Sequence, residues 1–326
     1  MTGLARQFFI SKLASKDRLA GTYLTNGYTI KTSIMEAKHA FIKGLKGFGI
    51  FYRLEDLLVF YTIVSVTVHR IGLKVLAFCP MFNHVHFLFK ETSLYDLRCF
   101  IHRITTVFVR EYNVRYERTG PLFQSPFGSS IKRGIKIIMG CVAYIFNNPV
   151  AGKMVKTALE YRWNLLAYHD NHNPFSNKLR KDHCRNVMRS ALRKVDYFYN
   201  NGKYLSYSAL KDLFKGLDKD ESNQLIDYII FKYNFLAYND LVELYGSFVK
   251  MITAVESNAG SEFDLEDEYG DHSCYQEMLA IVKSLGYKGS SLNFEKLSED
   301  SKDSLFWILK NRTHASPSSI YKFLHR

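Results

Sequence analysis

The sequence predicts an α+β domain followed by an all-helical region. Between about residues 39 and 147, short apolar runs of strand length alternate with longer segments whose apolar residues recur at helical spacing. A polar stretch at 163–177 interrupts that pattern. Every patterned segment beyond it has helical spacing. These observations divide the chain into an N-terminal extension (1–36), a mixed domain (37–175) and a helical domain (176–326).

The elements of the mixed domain follow from apolar spacing and turn residues. Strands are predicted at His39–Leu45, Leu73–Cys79 and His84–Lys90, with a further short strand-like run within Leu122–Lys132. Helices are predicted at Leu54–Ile71, Tyr95–Tyr116 and Lys136–Asn147. Gly72 should end the first of these helices. Pro149 should end the third, because proline lacks the N–H that a helix interior requires.

The helical domain is predicted from the same spacing. Its helices are expected at Lys181–Tyr199, Ser208–Phe214, Glu221–Phe235, Tyr238–Thr253, Tyr275–Leu285 and Lys302–Lys310. Ser316 is placed as an N-cap with Pro317 as the first residue of a last helix. The two helices within 302–326 form either a DNA-binding helix-turn-helix or an ordinary helical hairpin. A solvated acidic loop is predicted at Glu262–Asp271, and one short helix within 1–36.

The distribution of charge and cysteine narrows the class of protein. Residues 1–160 hold 22 basic residues (Lys and Arg) and 9 acidic residues (Asp and Glu). The rest of the chain holds 22 basic and 22 acidic residues, so the whole net charge of +13 lies in the first half. A basic, aromatic-rich domain favours a polyanionic partner, although charge can also serve solubility alone. The five scattered cysteines form no Cys-x-x-Cys, which argues against a zinc ribbon or a disulfide framework and fits a reducing cytoplasm. No apolar stretch has the length of a signal-peptide core or a membrane span.

The stretch Pro80–Lys90 contains His84-Val85-His86 on a predicted strand. Alternate side chains of a strand point to the same face, so His84 and His86 point one way and Val85 points to the other side. Two imidazoles at this spacing are able to converge on one divalent metal ion. A pair of ordinary surface or core histidines is the alternative that the motif alone leaves open.

A second motif lies on the predicted third helix. Tyr144 and Asn148 are four residues apart and therefore share one face of that helix. A phenol is able to attack phosphorus and leave a covalent phosphotyrosine. The amide oxygen of Asn148 suits a hard cation such as Mg²⁺ or Mn²⁺. In a chain with 22 tyrosines, packing is the competing interpretation for any one of them.

Taken together, these motifs resemble the HUH single-tyrosine transposases, and within them the REP-associated, IS200-like group. The resemblance runs from about His39 to Tyr168. It rests on the His pair preceded by Asn83 and on Tyr144 followed by Asn148-Pro149-Val150-Ala151-Gly152. Gly120-Pro121-Leu122-Phe123-Gln124 and Tyr161-Arg162-Trp163 add to it. It does not extend beyond about residue 180.

The resemblance implies a ferredoxin-like fold with a central antiparallel sheet. It also implies that His84, His86 and Asn148 are metal ligands for Mg²⁺ or Mn²⁺ and that Tyr144 is the catalytic nucleophile. The implied activity is that of a transposase or DNA endonuclease: cleavage and strand transfer on single-stranded or hairpin DNA through a 5′-phosphotyrosine. The implied location is the cytoplasm, on the DNA of a prokaryotic nucleoid. Whether Tyr144 serves its own His pair or that of a partner in a homodimer is left open.

Two positions depart from the pattern of the family. Phe82 stands where a proline usually precedes the Asn of Asn-His-Val-His. Ser125-Pro126 stand where a basic residue often follows the Phe-Gln pair, which removes an expected contact with DNA. Neither departure touches a residue with an implied catalytic role, so activity is expected to be retained.

Two other functions compete with this one. The first is a domesticated, sequence-specific DNA-binding protein that uses the same fold without transposition, which would have no need of all four residues His84, His86, Tyr144 and Asn148. The second is a phosphodiesterase or ligase, which would normally require another His-x-His motif that the remaining histidines do not supply. The helical domain is expected either to select the DNA site or to cover the catalytic domain.

Overall fold

The protein has a mixed α and β structure built on a four-stranded antiparallel sheet. The computed structural model describes residues 23–25, 28–30, 35–257, 272–287 and 292–325. The acidic loop predicted at Glu262–Asp271 lies outside these residues. Within 1–36, where a short helix is predicted, the described regular structure consists of two short strands and the start of a third, and the other residues except Met35 lie outside the described ranges. In the part of the chain that is described, no helix combines the length and the apolar character needed to cross a membrane.

The strands form two sheets. Their bounds are β1 Tyr23–Thr25, β2 Tyr28–Ile30, β3 Glu36–Lys43, β4 Lys74–Pro80, β5 His84–Lys90 and β6 Gly128–Arg133. β1 and β2 pair with each other in antiparallel orientation. The main sheet has the order β4-β5-β3-β6, with every neighbouring pair antiparallel. The strands predicted around 39–45, 73–79 and 84–90 are confirmed, the first of them displaced towards its N-terminus.

Three long helices accompany the sheet: α1 Leu54–Ile71, α2 Leu94–Tyr116 and α3 Ile135–Ala151. Gly72 ends α1 as predicted, in the left-handed conformation at φ 77°. The prediction that Pro149 ends α3 is wrong, because the helix continues to Ala151 with Pro149 inside it. A proline in the last turn removes only one intrahelical hydrogen bond, and the N–H of Gly152 still bonds to the Asn148 carbonyl at 2.8 Å.

The helices cover opposite faces of the sheet. On one face, Phe87 of β5 packs against Phe100 of α2, with 5.4 Å between ring centroids, and Phe78 of β4 packs against Tyr61 of α1. Val85 is fully buried on this side. On the other face lies α3, which contacts β4, β5 and β3. The alternation along β5 therefore directs Val85 to the α1–α2 layer and its two histidine neighbours to α3.

Beyond residue 180 the described elements of regular structure are helices. They are α4 Asn186–Asn200, α5 Tyr207–Leu213, α6 Lys219–Lys232, α7 Tyr238–Tyr245, α8 Phe248–Ser257, α9 Ser273–Ser284, α10 Glu299–Arg312 and α11 Pro317–Leu324. The single helix predicted at Tyr238–Thr253 is wrong, because Gly246 adopts φ 80° and separates α7 from α8. Ser316 caps α11 as predicted, its hydroxyl accepting a hydrogen bond from the Ser319 N–H at 3.1 Å.

Phe82, one of the two departures from the family pattern, lies where the helical region meets the sheet. Its ring is 8% exposed and stacks on Tyr275 of α9 with 4.2 Å between centroids. It also lies 5.9 Å from the ring of Phe323 in α11 and 5.0 Å from that of Tyr52. The aromatic side chain at this position therefore joins the turn before β5 to two helices of the C-terminal region.

Phe82→Ala is expected to lower the free energy of unfolding by about 3 kcal/mol, because it leaves a cavity between the turn and the two helices. Hydrogen exchange should accelerate at the amides of α9 and α11. Phe123→Ala is the matched control, since Phe123 is also 8% exposed but packs against Phe60 and Phe108. Equal exchange at α9 and α11 in the two variants would contradict this account of Phe82.

Candidate active site

His84 and His86 lie side by side on β5, between β4 and β3. Both side chains point to the face that α3 covers, and they are 4% and 0% exposed. Their ring centroids are 4.9 Å apart with the ring planes nearly perpendicular. The spacing of two residues along a rigid central strand thus places two buried imidazoles next to each other.

The tautomer of His84 is set by its neighbour Asn83. The Asn83 side chain donates from Nδ2 to the carbonyl of Gly47 at 3.0 Å. Its Oδ1 therefore accepts from Nδ1–H of His84, at 2.8 Å. This leaves the lone pair of His84 on Nε2, which is buried and makes no hydrogen bond of acceptable geometry within the described residues. A ring held in this way presents Nε2 as a ligand atom.

His86 contacts a third histidine, His39 of β3, which the motifs did not indicate. Nδ1 of His86 and Nε2 of His39 are 3.0 Å apart, and the two rings stack with 5.2 Å between centroids. Burial, and to a smaller extent the positive charge of Lys132, lower the pKa of His39 to about 3. His39 is therefore neutral at physiological pH and is able to accept the Nδ1 proton of His86, which would make Nε2 the ligand atom of His86.

Tyr144 and Asn148 lie on the side of α3 that faces the histidines. The Tyr144 ring is edge-on to His86 and His39, with centroid distances of 5.6 and 6.1 Å. It is 1% exposed. Asn148, one turn later, donates from Nδ2 to the Tyr144 carbonyl at 3.4 Å, so its Oδ1 is the atom that points away from the helix backbone. All four residues singled out from the sequence are thus brought together within one chain.

Burial governs the protonation of the His pair. It holds the pKa of His84 well below the usual range, helped by the nearby His272 and Lys43, whereas the Asn148 amide acts in the opposite direction. Burial and the neighbouring histidines also hold the pKa of His86 well below its usual range. Both rings are therefore neutral near pH 7, the form that binds a metal ion.

These residues fit a divalent cation. Two neutral imidazoles and one amide oxygen form a donor set that suits Mn²⁺ and is compatible with Mg²⁺. Across the described ranges, no group of three or more His, Cys, Asp or Glu side chains is arranged to hold a metal ion. A cation held by the His pair would take its remaining ligands from groups such as the Asn148 amide and water.

His39→Ala is expected to weaken Mn²⁺ binding about 10- to 100-fold, because the lost acceptor no longer holds the His86 ring. His39→Gln, which restores an acceptor near the same position, should recover most of the affinity. His69→Ala is the control, since His69 lies on α1 and packs against Tyr199. Calorimetric titration with Mn²⁺ checks the prediction, and equal affinities for His39→Ala and the wild type would contradict it.

A cavity of about 600 Å³ opens beside His84. Its lining comes from the β3 end, the turn before β5, the segment before β6, and the C-terminal region. The residues that line it are Phe41, Lys43, Lys46, Gly47, Asn83, His84, Gln124, Pro126, Phe127, Gly128, His272 and Lys322. His272 and Lys322 belong to the helical region. The periodicity of the sequence does not indicate that this region contacts the cavity.

Comparisons with protein-family models and with curated proteins find no match. Among solved structures, similarity is found to the structure of a REP-associated tyrosine transposase bound to a REP hairpin. The alignment covers 43% of this chain and 82% of that chain, with 15% identical residues and a TM-score of 0.35. The likeness therefore covers less than half of this chain.

Proposed function

We propose that this chain cleaves and rejoins single-stranded DNA in a metal-dependent reaction, through a 5′-phosphotyrosine formed on Tyr144. The observation that carries the proposal is the juxtaposition in one chain of a phenol and a buried His pair, with 5.6 Å between the rings of Tyr144 and His86. Asn148 lies one turn after Tyr144 on α3 and would supply the third donor to a cation held by the His pair. A nucleophile next to a divalent-cation site is the arrangement that phosphoryl transfer requires.

The connectivity of the sheet supports the same proposal. From β3 to β6 the chain runs β-α-β-β-α-β, with the sheet order β4-β5-β3-β6. This is the ferredoxin-like arrangement that the resemblance to HUH transposases implies. It places the His pair on a central strand and leaves one sheet face for the helix with the tyrosine.

The reaction conserves the phosphodiester energy. The Tyr144 oxygen attacks the scissile phosphorus, a Tyr–O–P bond forms, and the P–O3′ bond breaks. The phenol proton passes to the departing 3′-oxygen, so one DNA fragment leaves with a 3′-hydroxyl and the other stays attached through its 5′-phosphate. Attack of a 3′-hydroxyl on the phosphotyrosine reverses these steps and joins two strands. No nucleotide cofactor is needed, because one phosphodiester replaces another.

The side chains have distinct roles in the proposed cleavage reaction. His84, His86 and Asn148 would hold a cation that neutralises charge developing on the scissile phosphate. Asn83 and His39 orient the two imidazoles through their Nδ1 atoms. The basic first half of the chain supplies the attraction for DNA.

A second function, DNA binding without cleavage, is favoured by the burial of Tyr144. Tyr144 is only 1% exposed and is not among the residues that line the cavity, so a phosphate reaches the phenol only after neighbouring side chains move. A DNA-binding protein that no longer cleaves would require no such movement.

The two functions differ in one measurable product. Single-stranded DNA labelled at its 3′ end should become covalently attached to the wild-type protein in the presence of Mn²⁺, whereas DNA labelled at its 5′ end should be released as a shorter fragment. Binding without any adduct, over a range of single-stranded and hairpin substrates that includes the flanks of the gene, would favour the DNA-binding protein.

A further inference from the structure

The cavity beside His84 is strongly basic and receives part of its wall from the C-terminal region. Three lysines line it: Lys43, Lys46 and Lys322. The described residues of its lining include no carboxylate. A concave surface lined by several ammonium groups attracts a phosphate group.

Lys322 of α11 crosses the loop that orients His84. A Cβ added at Gly47 would lie 3.4 Å from Cε and 3.9 Å from Nζ of Lys322, so the lysine side chain runs directly over this glycine. Gly47 adopts φ 76°, where a residue with a Cβ would be strained. Its carbonyl accepts from Asn83, which in turn holds His84. The ammonium group of Lys322 is therefore placed at the rim of the candidate metal site.

The end of α11 that follows Lys322 is fixed by two sets of contacts. The Tyr52 hydroxyl donates to the carbonyl of Phe323 at 2.8 Å. His325 stacks on Phe48, with 4.7 Å between centroids, and its Nε2 lies 3.2 Å from the carbonyl of Gly49. These contacts hold the helix against the segment between β3 and α1, so Lys322 faces the cavity as part of the folded structure.

A second residue of the C-terminal region reaches the same wall. His272 lies just before α9, and its N–H donates to the carbonyl of Gly152 at the end of α3, at 3.0 Å. Its ring is edge-on to His84 with 5.6 Å between centroids. Contact with both α3 and β5 shows that the helical region closes one side of the cavity.

Aromatic rings line the same cavity as the lysines. Phe41 and Phe127 line the cavity, and Nζ of Lys43 lies 5.2 Å from the centroid of the Phe41 ring. Lysines interleaved with aromatic faces bind the backbone and the bases of a single strand together. Inorganic phosphate would use only the lysines.

We propose that Lys322 binds a backbone phosphate of single-stranded DNA, so that the C-terminal helical region completes the DNA-binding cavity of the sheet domain. The proposal rests on the proposed function for the identity of DNA as the substrate. It assigns Lys322 to binding and not to the chemical step.

The test uses the full-length chain and a fluorescent oligothymidine in EDTA, so that binding is measured without metal or cleavage. Lys322→Gln should raise Kd about fivefold, the effect of losing one partly enclosed charge contact. The slope of log Kd against log salt should fall by about 0.7, the value for one phosphate contact on a single strand. Lys322→Arg should keep both quantities near the wild-type values.

Lys310→Gln is the matched control, because Lys310 is an exposed lysine of the adjacent helix α10 that packs over Trp307. It removes the same charge from the same region, and it should leave Kd and the salt slope unchanged. Equal weakening by Lys310→Gln and Lys322→Gln would overturn the proposal and indicate bulk attraction or a helix-turn-helix contact. Unchanged binding by Lys322→Gln would overturn it as well.

A kinetic measurement separates this proposal from the proposed function. With Mn²⁺, Lys322→Gln should slow adduct formation at low DNA concentration, and saturating DNA should restore the rate to within about twofold of wild type. A lower rate at saturation would contradict a binding role. If the wild type forms no adduct at all, the proposed function fails, while the metal-free binding comparison still decides the role of Lys322.

Discussion

Tyr144→Phe is expected to abolish the covalent adduct while leaving the affinity for single-stranded DNA within about twofold of wild type, because only the nucleophilic oxygen is lost. The residue is 1% exposed, and phenylalanine retains the aromatic ring that lies edge-on to His39 and His86. The fold and the cavity should therefore be unchanged. Denaturing electrophoresis with 3′-labelled DNA measures the adduct, and fluorescence anisotropy measures binding.

Tyr161→Phe provides the control for this substitution. Tyr161 is also buried, and its hydroxyl donates to the carbonyl of Pro80, close to the turn before β5. This variant loses a phenol oxygen near the site but should still form the adduct. An adduct that persists in Tyr144→Phe and disappears in Tyr161→Phe would move the nucleophile to Tyr161.

The double variant His84→Ala, His86→Ala should lower the rate of adduct formation by on the order of 10³-fold or more, since loss of the bound cation removes several kcal/mol of transition-state stabilisation. Mn²⁺ binding by calorimetry should fall in parallel. Val85→Ala is the control on the same strand, because Val85 is fully buried on the opposite face and should act through stability alone. Wild-type cleavage that persists undiminished in EDTA would rule out the metal mechanism.

The sequence predicted those secondary-structure elements whose apolar pattern lies within a single segment. The apolar spacing of Leu54–Ile71 and the following Gly72 predicted α1 with its correct bounds. The alternation in His84–Lys90 predicted both the strand and the shared face of the two histidines. These features depend on backbone periods that any single segment reveals.

Contacts between segments that are distant in the sequence could not be predicted. The contact between His39 and His86 follows from the register of β3 against β5, in which Phe41 pairs with His86, and register is not encoded in either strand alone. The role of Phe82 depends in the same way on distant segments, because its ring packs against Tyr275 and Phe323. Lys322 reaches the cavity only because the C-terminal helix packs back on the loop at Gly47.

The most direct measurement is the identity of the residue that carries the DNA. Trypsin releases residues 137–153 as one peptide, in which Tyr144 is the only tyrosine. After incubation of the wild type with single-stranded substrate and Mn²⁺, nuclease trimming and mass spectrometry should find a 5′-phosphonucleotide on this peptide. A covalent nucleotide on any other peptide, with residues 137–153 recovered unmodified, would contradict the assignment of Tyr144 as the nucleophile.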